Sequence, residues 1–336
     1  MDLRKSLILA LILTIGALAL WENYCRESGF IAAVEGDKAL WAEHRDRLRN
    51  NDPQQVLLVS ASRGHFDFQL NEWEEITGNR PIQLGAGGRG PGAVFQDIVE
   101  NTEFSGTIII NVTPGLFFVP PADSVFGWRR GKAWVDYYYD RTYAQRLNQN
   151  LSYLLQPYFA FLTSDMDGDP DLRSLIERIK IPGRVKSGPP FPRFANVDAD
   201  RNTTMMDRVV TDTAYAGVIQ RVWTHNYDSI NRLADAKPII FQFYYDLLKK
   251  FKDRGGIVVF TRNPSHGGVR AHERQAHPRR DYWDLFIADS GCSGYHFEDY
   301  PQLSQFFTPE WSHLSTPDAK KYTKEILKIM QKDKVL

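Results

Sequence analysis

The chain has 336 residues, with 41 Lys and Arg against 41 Asp and Glu, so its formal net charge is zero. A zero balance argues against a dedicated nucleic-acid binder, which needs an excess of basic residues. The length allows one elaborated domain or two smaller ones. With only two cysteines, Cys25 and Cys292, one disulfide is possible and a framework of several disulfides is excluded.

The N-terminus has the pattern of a membrane-targeting segment. Arg4 and Lys5 precede an uncharged apolar run from residue 6 to Trp21, which reaches roughly 24 Å at about 1.5 Å per residue. The run predicts a transmembrane signal anchor at 1–25, and a cleaved signal peptide with its cleavage site at Ala17-Leu18-Ala19 is the alternative. The basic pair places the N-terminus in the cytoplasm and the bulk of the protein outside.

Beyond this segment, strand-like and helical patterns alternate. Residues 26–55 predict a stalk and a leading helix, and residues 56–336 predict one α/β domain. Strands are predicted at the run that begins at Val56 and at Pro81–Ala86, Gly106–Pro114, Ile257–Phe260 and Gly294–Phe297. Helical segments between them indicate parallel βαβ units and therefore a parallel sheet.

Residues from about 120 to 235 break this alternation and predict a helical insertion that shapes the cleft. Its acidic stretch, Asp165-Met166-Asp167-Gly168-Asp169, has no Glu at the twelfth position of a calcium loop, so we predict a solvated turn. The histidines after the fourth strand, at 266, 272 and 277, do not have a recognised zinc spacing. We therefore predict no metal and no cofactor.

Small hydroxylated residues end the first strand, where Ser60-Ala61-Ser62 follows Val56–Val59. In parallel sheets ligands bind in the crevice at the carboxyl ends of the strands, so a serine there is a candidate nucleophile. Ser60 and Ser62 acting only as turn or cap residues is the alternative. Near the C-terminus, Glu310 and His313 stand three residues apart, close enough for a carboxylate to orient an imidazole whose Nε2 stays free.

In order and spacing, these segments resemble the SGNH/GDSL hydrolase superfamily over roughly residues 55–118 and 238–330. The resemblance implies a flavodoxin-like, doubly wound parallel sheet. The segment 60–63 stands where that family has Gly-Asp-Ser, which implies Ser62 as the nucleophile. The segment 83–88, Gln-Leu-Gly-Ala-Gly-Gly, is similar to the family's Asn-Leu-Gly-x-x-Gly, which implies Gly88 as an oxyanion donor.

The same resemblance assigns the rest of the site. The segment 310–313, Glu-Trp-Ser-His, matches the family's Asp-x-x-His, which implies Glu310 as the orienting acid and His313 as the base. The Ser62 amide and Asn111 complete the implied oxyanion hole. The chain departs from the family pattern at Ser60, Ala61 and Glu310, and its Asn-Val-Thr-Pro at 111–114 does not align with Gly-x-Asn-Asp.

These residues favour a membrane-anchored, extracytoplasmic serine esterase that acts on a small-molecule or polysaccharide acyl ester. Arg63, Arg89 and Arg270 are candidate contacts to an anionic substrate. Two alternatives stay open: an O-acyltransferase on the same scaffold, and a non-catalytic SGNH-like protein that binds glycan or assembles with envelope partners. The membrane is an expected partner through the N-terminal helix, and nucleic acid is not.

Overall fold

The structure is a computed structural model that describes residues 3–27, 30–50, 52–162, 191–228 and 236–336. The strands are β1 (Val56–Ser60), β2 (Ile82–Gln83), β3 (Thr107–Asn111), β4 (Ala195–Val197), β5 (Thr203–Met205), β6 (Ile257–Arg262) and β7 (Ser293–His296). The helices before the second half of the chain are α1 (Leu3–Glu27), α2 (Lys38–Asp46), α3 (Ser62–Asp67), α4 (Leu70–Thr77), α5 (Gly92–Asn101), α6 (Pro114–Phe117), α7 (Phe126–Asp140) and α8 (Tyr143–Leu155). Those that follow are α9 (Asp207–Thr211), α10 (Thr213–Asp228), α11 (Lys237–Asp253), α12 (Gly267–Ala276), α13 (Trp283–Ser290), α14 (Pro301–Ser304) and α15 (Thr316–Lys332).

Five strands form one sheet in the order β2-β1-β3-β6-β7, and all its neighbours are parallel. The predicted α/β fold with a parallel sheet is therefore confirmed. Numbered within this sheet alone, the order is 2-1-3-4-5, the doubly wound arrangement whose ligand crevice lies where the strand order reverses. That reversal lies between β1 and β3, where Ser60 is directly opposite Asn111. Strands β4 and β5 form a separate antiparallel pair that the sequence pattern did not predict.

Both faces of the sheet are covered by helices. In β1, Leu57 and Val59 pack into a core with residues of α2, α5, α7, α11 and α13, whereas Val56 and Leu58 pack into a second core with residues of α4, α14 and α15. Because successive side chains of a strand point to opposite faces, a continuous apolar run is what a strand buried on both sides requires.

The N-terminal helix α1 is a single long apolar helix of 25 residues. It has the length and composition to cross a membrane, and no part of its most apolar window is buried against the protein. Its length and composition are compatible with a signal or an anchor helix. The disulfide that the sequence left open does not form, since Cys25 and Cys292 are both free.

The segment predicted as a stalk and leading helix contributes directly to the core. Trp41 of α2 is fully buried, and its indole Nε1 donates to the carbonyl of Leu84 at 3.0 Å. Arg45 on the same helix pairs with the buried Asp97 of α5. Helix α2 is thus packed on the sheet and is not separated from the α/β domain.

The insertion packs against the helix that follows the first strand. A third apolar cluster joins Phe66 of α3 to inserted residues, namely Phe194, Met205, Val209, Ala216 and Ile219. The inserted segment therefore borders the carboxyl edge of the sheet. The acidic stretch 165–169 lies outside the described residues.

Candidate active site

Ser62 is the first residue of α3, and Ala61 is the N-cap, which supplies no side-chain hydrogen bond. The helix lies tightly on the strand ends because Gly64 has no side chain: a Cβ there would be 2.6 Å from Cβ of Asn111 and 2.7 Å from Cβ of Ser60. Ser62 is partly exposed, whereas Ser60 is buried and its Oγ has no hydrogen-bond partner among the described residues. Of the two serines, Ser62 is the one that a solvent-borne substrate can reach.

Glu310 and His313 form the pair that the sequence predicts. Nδ1 of His313 lies 3.0 Å from Oε1 of Glu310, and both side chains are fully buried. The other carboxylate oxygen, Oε2, accepts a hydrogen bond from Nε1 of Trp223 at 2.6 Å. Burial raises the pKa of Glu310, but the charge and hydrogen bond of His313 and the hydrogen bond from Trp223 outweigh it and lower the pKa overall. An ionised Glu310 is the state that orients and stabilises an imidazolium.

The imidazole of His313 lies between aromatic rings. It stacks on Phe66 with ring centroids 4.2 Å apart, and Phe194 and Trp223 are at 5.8 and 6.0 Å. Since residues four apart share a helix face, Phe66 is on the same face of α3 as Ser62. Nε2 of His313 has no hydrogen-bond partner in the described part of the chain, so it makes no hydrogen bond to Ser62.

A buried ion network connects α3 to the loop that carries His313. Nε of Arg63 donates to the carbonyl of Ser312 at 2.9 Å, and its Nη1 lies 2.9 Å from Oε1 of Glu273. Glu273 also pairs with Arg262 and accepts a hydrogen bond from Ser265 at 2.7 Å. Burial raises the pKa of Glu273, but Arg262 and Arg63 outweigh it and lower the pKa to about 2. We predicted Arg63 as a substrate contact, but its guanidinium is fully buried and holds the loop of the base.

A second contact to this loop comes from Asp67, at the end of α3. Its Oδ1 accepts the amide of Leu314 at 3.0 Å, and its Oδ2 accepts Nδ2 of Asn263 at 3.2 Å. Burial raises the pKa of Asp67 to about 7, against the opposing effects of the Leu314 hydrogen bond and of His313. Helix α3 thus holds the residues on both sides of His313.

The predicted oxyanion residues lie at the neighbouring strand ends. Asn111 is the fully buried last residue of β3, and its Nδ2 donates to Oγ1 of Thr261 at 3.0 Å and to the Thr261 carbonyl at 3.4 Å, so its amide is turned towards Thr261. Gly88 has a φ of +63° and lies beside Arg130, whose Nη1 would be 3.0 Å from an added Cβ. The glycine that touches the end of β1 is Gly85, where an added Cβ would be 2.4 Å from Oγ of Ser60. The oxyanion roles of Gly88 and Asn111 stay predictions.

Arginines surround the glycine-rich segment that follows β2. The Arg89 guanidinium lies 4.0 Å from the ring of Trp134, and Arg201, which is fully buried, donates to the carbonyls of Gln83 and Gly85. Neither Arg89 nor Arg201 has a carboxylate within ion-pair distance among the described residues. Burial lowers the pKa of Arg89 to about 9, helped by the charges of Arg130 and Arg201, and burial also lowers that of Arg201 to about 9. This side of the cleft is therefore positively charged, and Arg201 lies in the insertion, where no motif marked it.

Arg270 lies at the other side of the sheet edge. Its guanidinium pairs with Glu298 and lies 4.6 Å from the ring of Phe297. It lines a cavity of about 100 Å³ together with side chains that include Arg262 and His296, the last residues of β6 and β7. A larger cavity of about 310 Å³ is at the opposite, amino edge of the sheet, where Gln55 and Pro81 precede β1 and β2, so it is not part of this site.

No family model matches the sequence, and no curated protein matches it. The fold is thus established by the sheet order. The SGNH resemblance depends on the motif residues and their placement at one edge of that sheet.

We expect Arg63→Ala to lower the free energy of unfolding by about 3–5 kcal/mol, because removing one member of a buried ion network leaves the other charges uncompensated. Chemical denaturation of the detergent-solubilised protein, followed by tryptophan fluorescence, measures this. Arg274→Ala is the control: Arg274 pairs with Glu298 at the surface, so its loss changes stability by less than about 1 kcal/mol. Equal effects of the two substitutions would contradict the role of Arg63.

The raised pKa of Asp67 predicts that the free energy of unfolding depends on pH. Its pKa is raised from 3.8 to about 7, so the folded protein keeps a proton that the unfolded chain releases. This contribution is fully present below pH 4 and is lost as the pH rises through about 7. Relative to Asp67→Asn, the parent should therefore lose stability between about pH 4 and pH 7, by up to about 1.4 kcal/mol per pH unit. Denaturation curves of both proteins at each pH provide the measurement, and an unchanged difference between them would show that Asp67 is ionised throughout.

Proposed function

We propose that this protein is an extracytoplasmic serine acyl hydrolase of the SGNH type, with Ser62 as nucleophile, His313 as base and Glu310 as orienting acid. The observation that supports the proposal most is the buried Nδ1 to Oε1 contact between His313 and Glu310 at 3.0 Å. It leaves Nε2 as the ring nitrogen able to take a proton, beside the helix that begins with Ser62. A carboxylate and an imidazole so paired are two of the three groups that acyl transfer from an ester requires.

The reaction proceeds in two balanced steps. Oγ of Ser62 attacks the ester carbonyl while Nε2 of His313 takes the hydroxyl proton, and the same proton then protonates the leaving alcohol, which gives an acyl ester on Ser62. Water attacks this ester, His313 takes a proton from the water and returns it to Ser62, and the free acid leaves. A sugar hydroxyl in place of water would give acyl transfer on the same scaffold.

Charge develops on the carbonyl oxygen in both steps. The amides of Ser62 and Gly88 are its proposed donors, and the first turn of α3 contributes its unpaired N–H groups. Asn111 joins them only if its amide turns away from Thr261. Losing one such donor typically costs about 10²–10³-fold in rate, so the two amides alone support a slower enzyme.

The positive side of the cleft favours an anionic substrate. Arg89 and Arg201 lie beside the segment of Gly88 without an ion-paired carboxylate in the described part of the chain. Arg89 is partly exposed and can contact an anionic group directly, whereas the fully buried Arg201 contributes its positive charge from beneath the surface. An acylated, carboxylate-bearing polysaccharide of the cell envelope fits both this charge and the proposed location outside the cytoplasmic membrane. The polysaccharide assignment depends on location and on analogy of fold.

A non-catalytic glycan-binding or envelope-assembly protein is the second candidate function. It is favoured by the complete burial of His313 and by the missing hydrogen bond between Nε2 and Ser62. Catalytic hydrogen bonds are often long in unliganded enzymes and tighten with substrate, which is why we place this candidate second.

An activated Ser62 should react with a fluorophosphonate probe and hydrolyse p-nitrophenyl acetate, and Ser62→Ala should abolish labelling and lower the rate at least about 10³-fold. Ser60→Ala is the matched control, because it removes a neighbouring buried hydroxyl for which the described residues provide no hydrogen-bond partner. Labelling of this variant should persist. The measurements are gel detection of the probe and initial rates. A parent protein that takes up no probe would favour the second candidate.

Whether the N-terminal helix α1 is retained as an anchor can be tested separately. If α1 is retained, the protein should stay in the membrane pellet after alkaline carbonate extraction, and mass spectrometry of the mature protein should still find the residues before Ala19. A mature protein that begins directly after Ala19 would mean that the segment is a cleaved signal peptide.

A further inference from the structure

Helix α8 exposes an apolar stripe. Its outward side chains are spaced at helical intervals and are strongly exposed: Tyr143 81%, Leu147 48%, Leu151 54%, Leu154 67% and Leu155 48%. At about 100° per residue these five positions span an arc of about 120° on one side of the helix. Tyr158, 70% exposed, extends the stripe beyond the helix end.

The opposite side of α8 is mostly polar, and it contacts the protein at Gln149 and at the half-buried Tyr153, whereas Gln145 and Arg146 at its N-terminal part are exposed. Gln149 is buried, and so is Gln156 just after the helix, whose Oε1 accepts the amide of Glu35 at 3.2 Å. A helix on the surface of a water-soluble protein has the reverse arrangement, with its apolar side inward. A contiguous exposed apolar face of this kind marks an interaction surface.

The end of this stripe is bonded to the end of α1. The Glu22 carboxylate accepts the amides of Ala160 and Phe161 at 3.0 and 3.1 Å, and Nη2 of Arg26 donates to the carbonyl of Tyr158 at 3.0 Å. These contacts lie where the apolar run of α1 stops.

Aromatic residues mark the same level of α1. Trp21 and Tyr24 stack with ring centroids 5.3 Å apart and are both exposed. Trp and Tyr collect at the boundary between lipid and water. The chain at 158–161 is therefore held at the height of the membrane surface if α1 spans a bilayer.

We propose that α8 lies on the membrane as an interfacial amphipathic helix, with the stripe from Tyr143 to Tyr158 in contact with lipid. Lipid is the occupant because the stripe continues from the point where α1 leaves the bilayer, and because a tyrosine, a residue type enriched at membrane interfaces, stands at each of its ends. The helix then gives the domain a second attachment besides α1 and fixes its orientation towards the membrane. This inference depends on α1 as a membrane anchor and is independent of the chemistry of Ser62.

The test uses the full chain in lipid nanodiscs, with Cys25→Ala and Cys292→Ser as background and a spin label on a single introduced cysteine. Leu151→Cys places the label on the stripe, and Arg146→Cys is the matched control, exposed on the same helix about 140° away. Oxygen concentrates in lipid and a nickel chelate stays in water. The ratio of the two accessibilities should be at least threefold higher for Leu151→Cys than for Arg146→Cys.

Two results would overturn the proposal. Equal ratios at the two positions would place the stripe in water, and exclusion of both reagents at Leu151→Cys would place it against protein. Labels at Leu147→Cys and Leu155→Cys extend the measurement along the helix: lipid contact at position 155 alone would show a helix that rises from the surface, contrary to the proposal. Since all these side chains are exposed, unchanged thermal unfolding confirms that each variant is folded.

Discussion

The candidate site depends on one buried cation. Arg63, the second residue of α3, donates to the carbonyl of Ser312 and pairs with Glu273. A fully buried guanidinium is costly unless its donors are satisfied, so any arrangement of the late loop that left Arg63 without these partners would be strongly disfavoured. The position of His313 is therefore coupled to that of Ser62 through the contact between Arg63, which follows Ser62 in sequence, and Ser312, which precedes His313. Asp67, which binds the amide of Leu314, adds a second connection from the same helix.

Close packing at the strand ends imposes the complementary constraint. Gly64 and Gly85 both lie against Ser60, at distances that no Cβ could occupy. The glycines bring α3 and the segment after β2 onto the carboxyl ends of β1 and β3, so that the polar groups of several segments meet in a small volume. The insertion then contributes Phe194 and Trp223 over the imidazole and Arg201 beside the glycine-rich segment. The insertion, which contains no recognised motif, thus supplies both the aromatic side chains that cover His313 and part of the positive charge beside the site.

Two features link the proposed site to the membrane. As an anchor, helix α1 would hold the domain at a bilayer, and the stripe of α8 would hold one side of the insertion on its surface. The insertion would then connect the site to the lipid, because its α8 side faces the membrane and its Phe194 side faces His313. Such an arrangement suits a substrate that is itself held near the membrane.

Local sequence alone predicted the α/β class, the five strands of the parallel sheet and the apolar N-terminal helix, because apolar runs and helical spacing are local properties; it missed β4 and β5. The same local patterns indicated Ser62, Glu310 and His313 as site residues, and their catalytic roles stay predictions. They also indicated Gly88 and Asn111, whose roles stay predictions. Only the tertiary structure decided that Arg63 is buried beneath the loop of the base, that Arg201 and Trp223 reach the site, and that α2 belongs to the core. These contacts join residues from tens to about 250 positions apart, and no local pattern encodes which side chain will neutralise, cover or hydrogen-bond another across the fold. The outward orientation of the α8 stripe could not be predicted from local sequence either. A helical pattern of leucines shows which residues share a face, but not whether that face contacts protein, water or lipid.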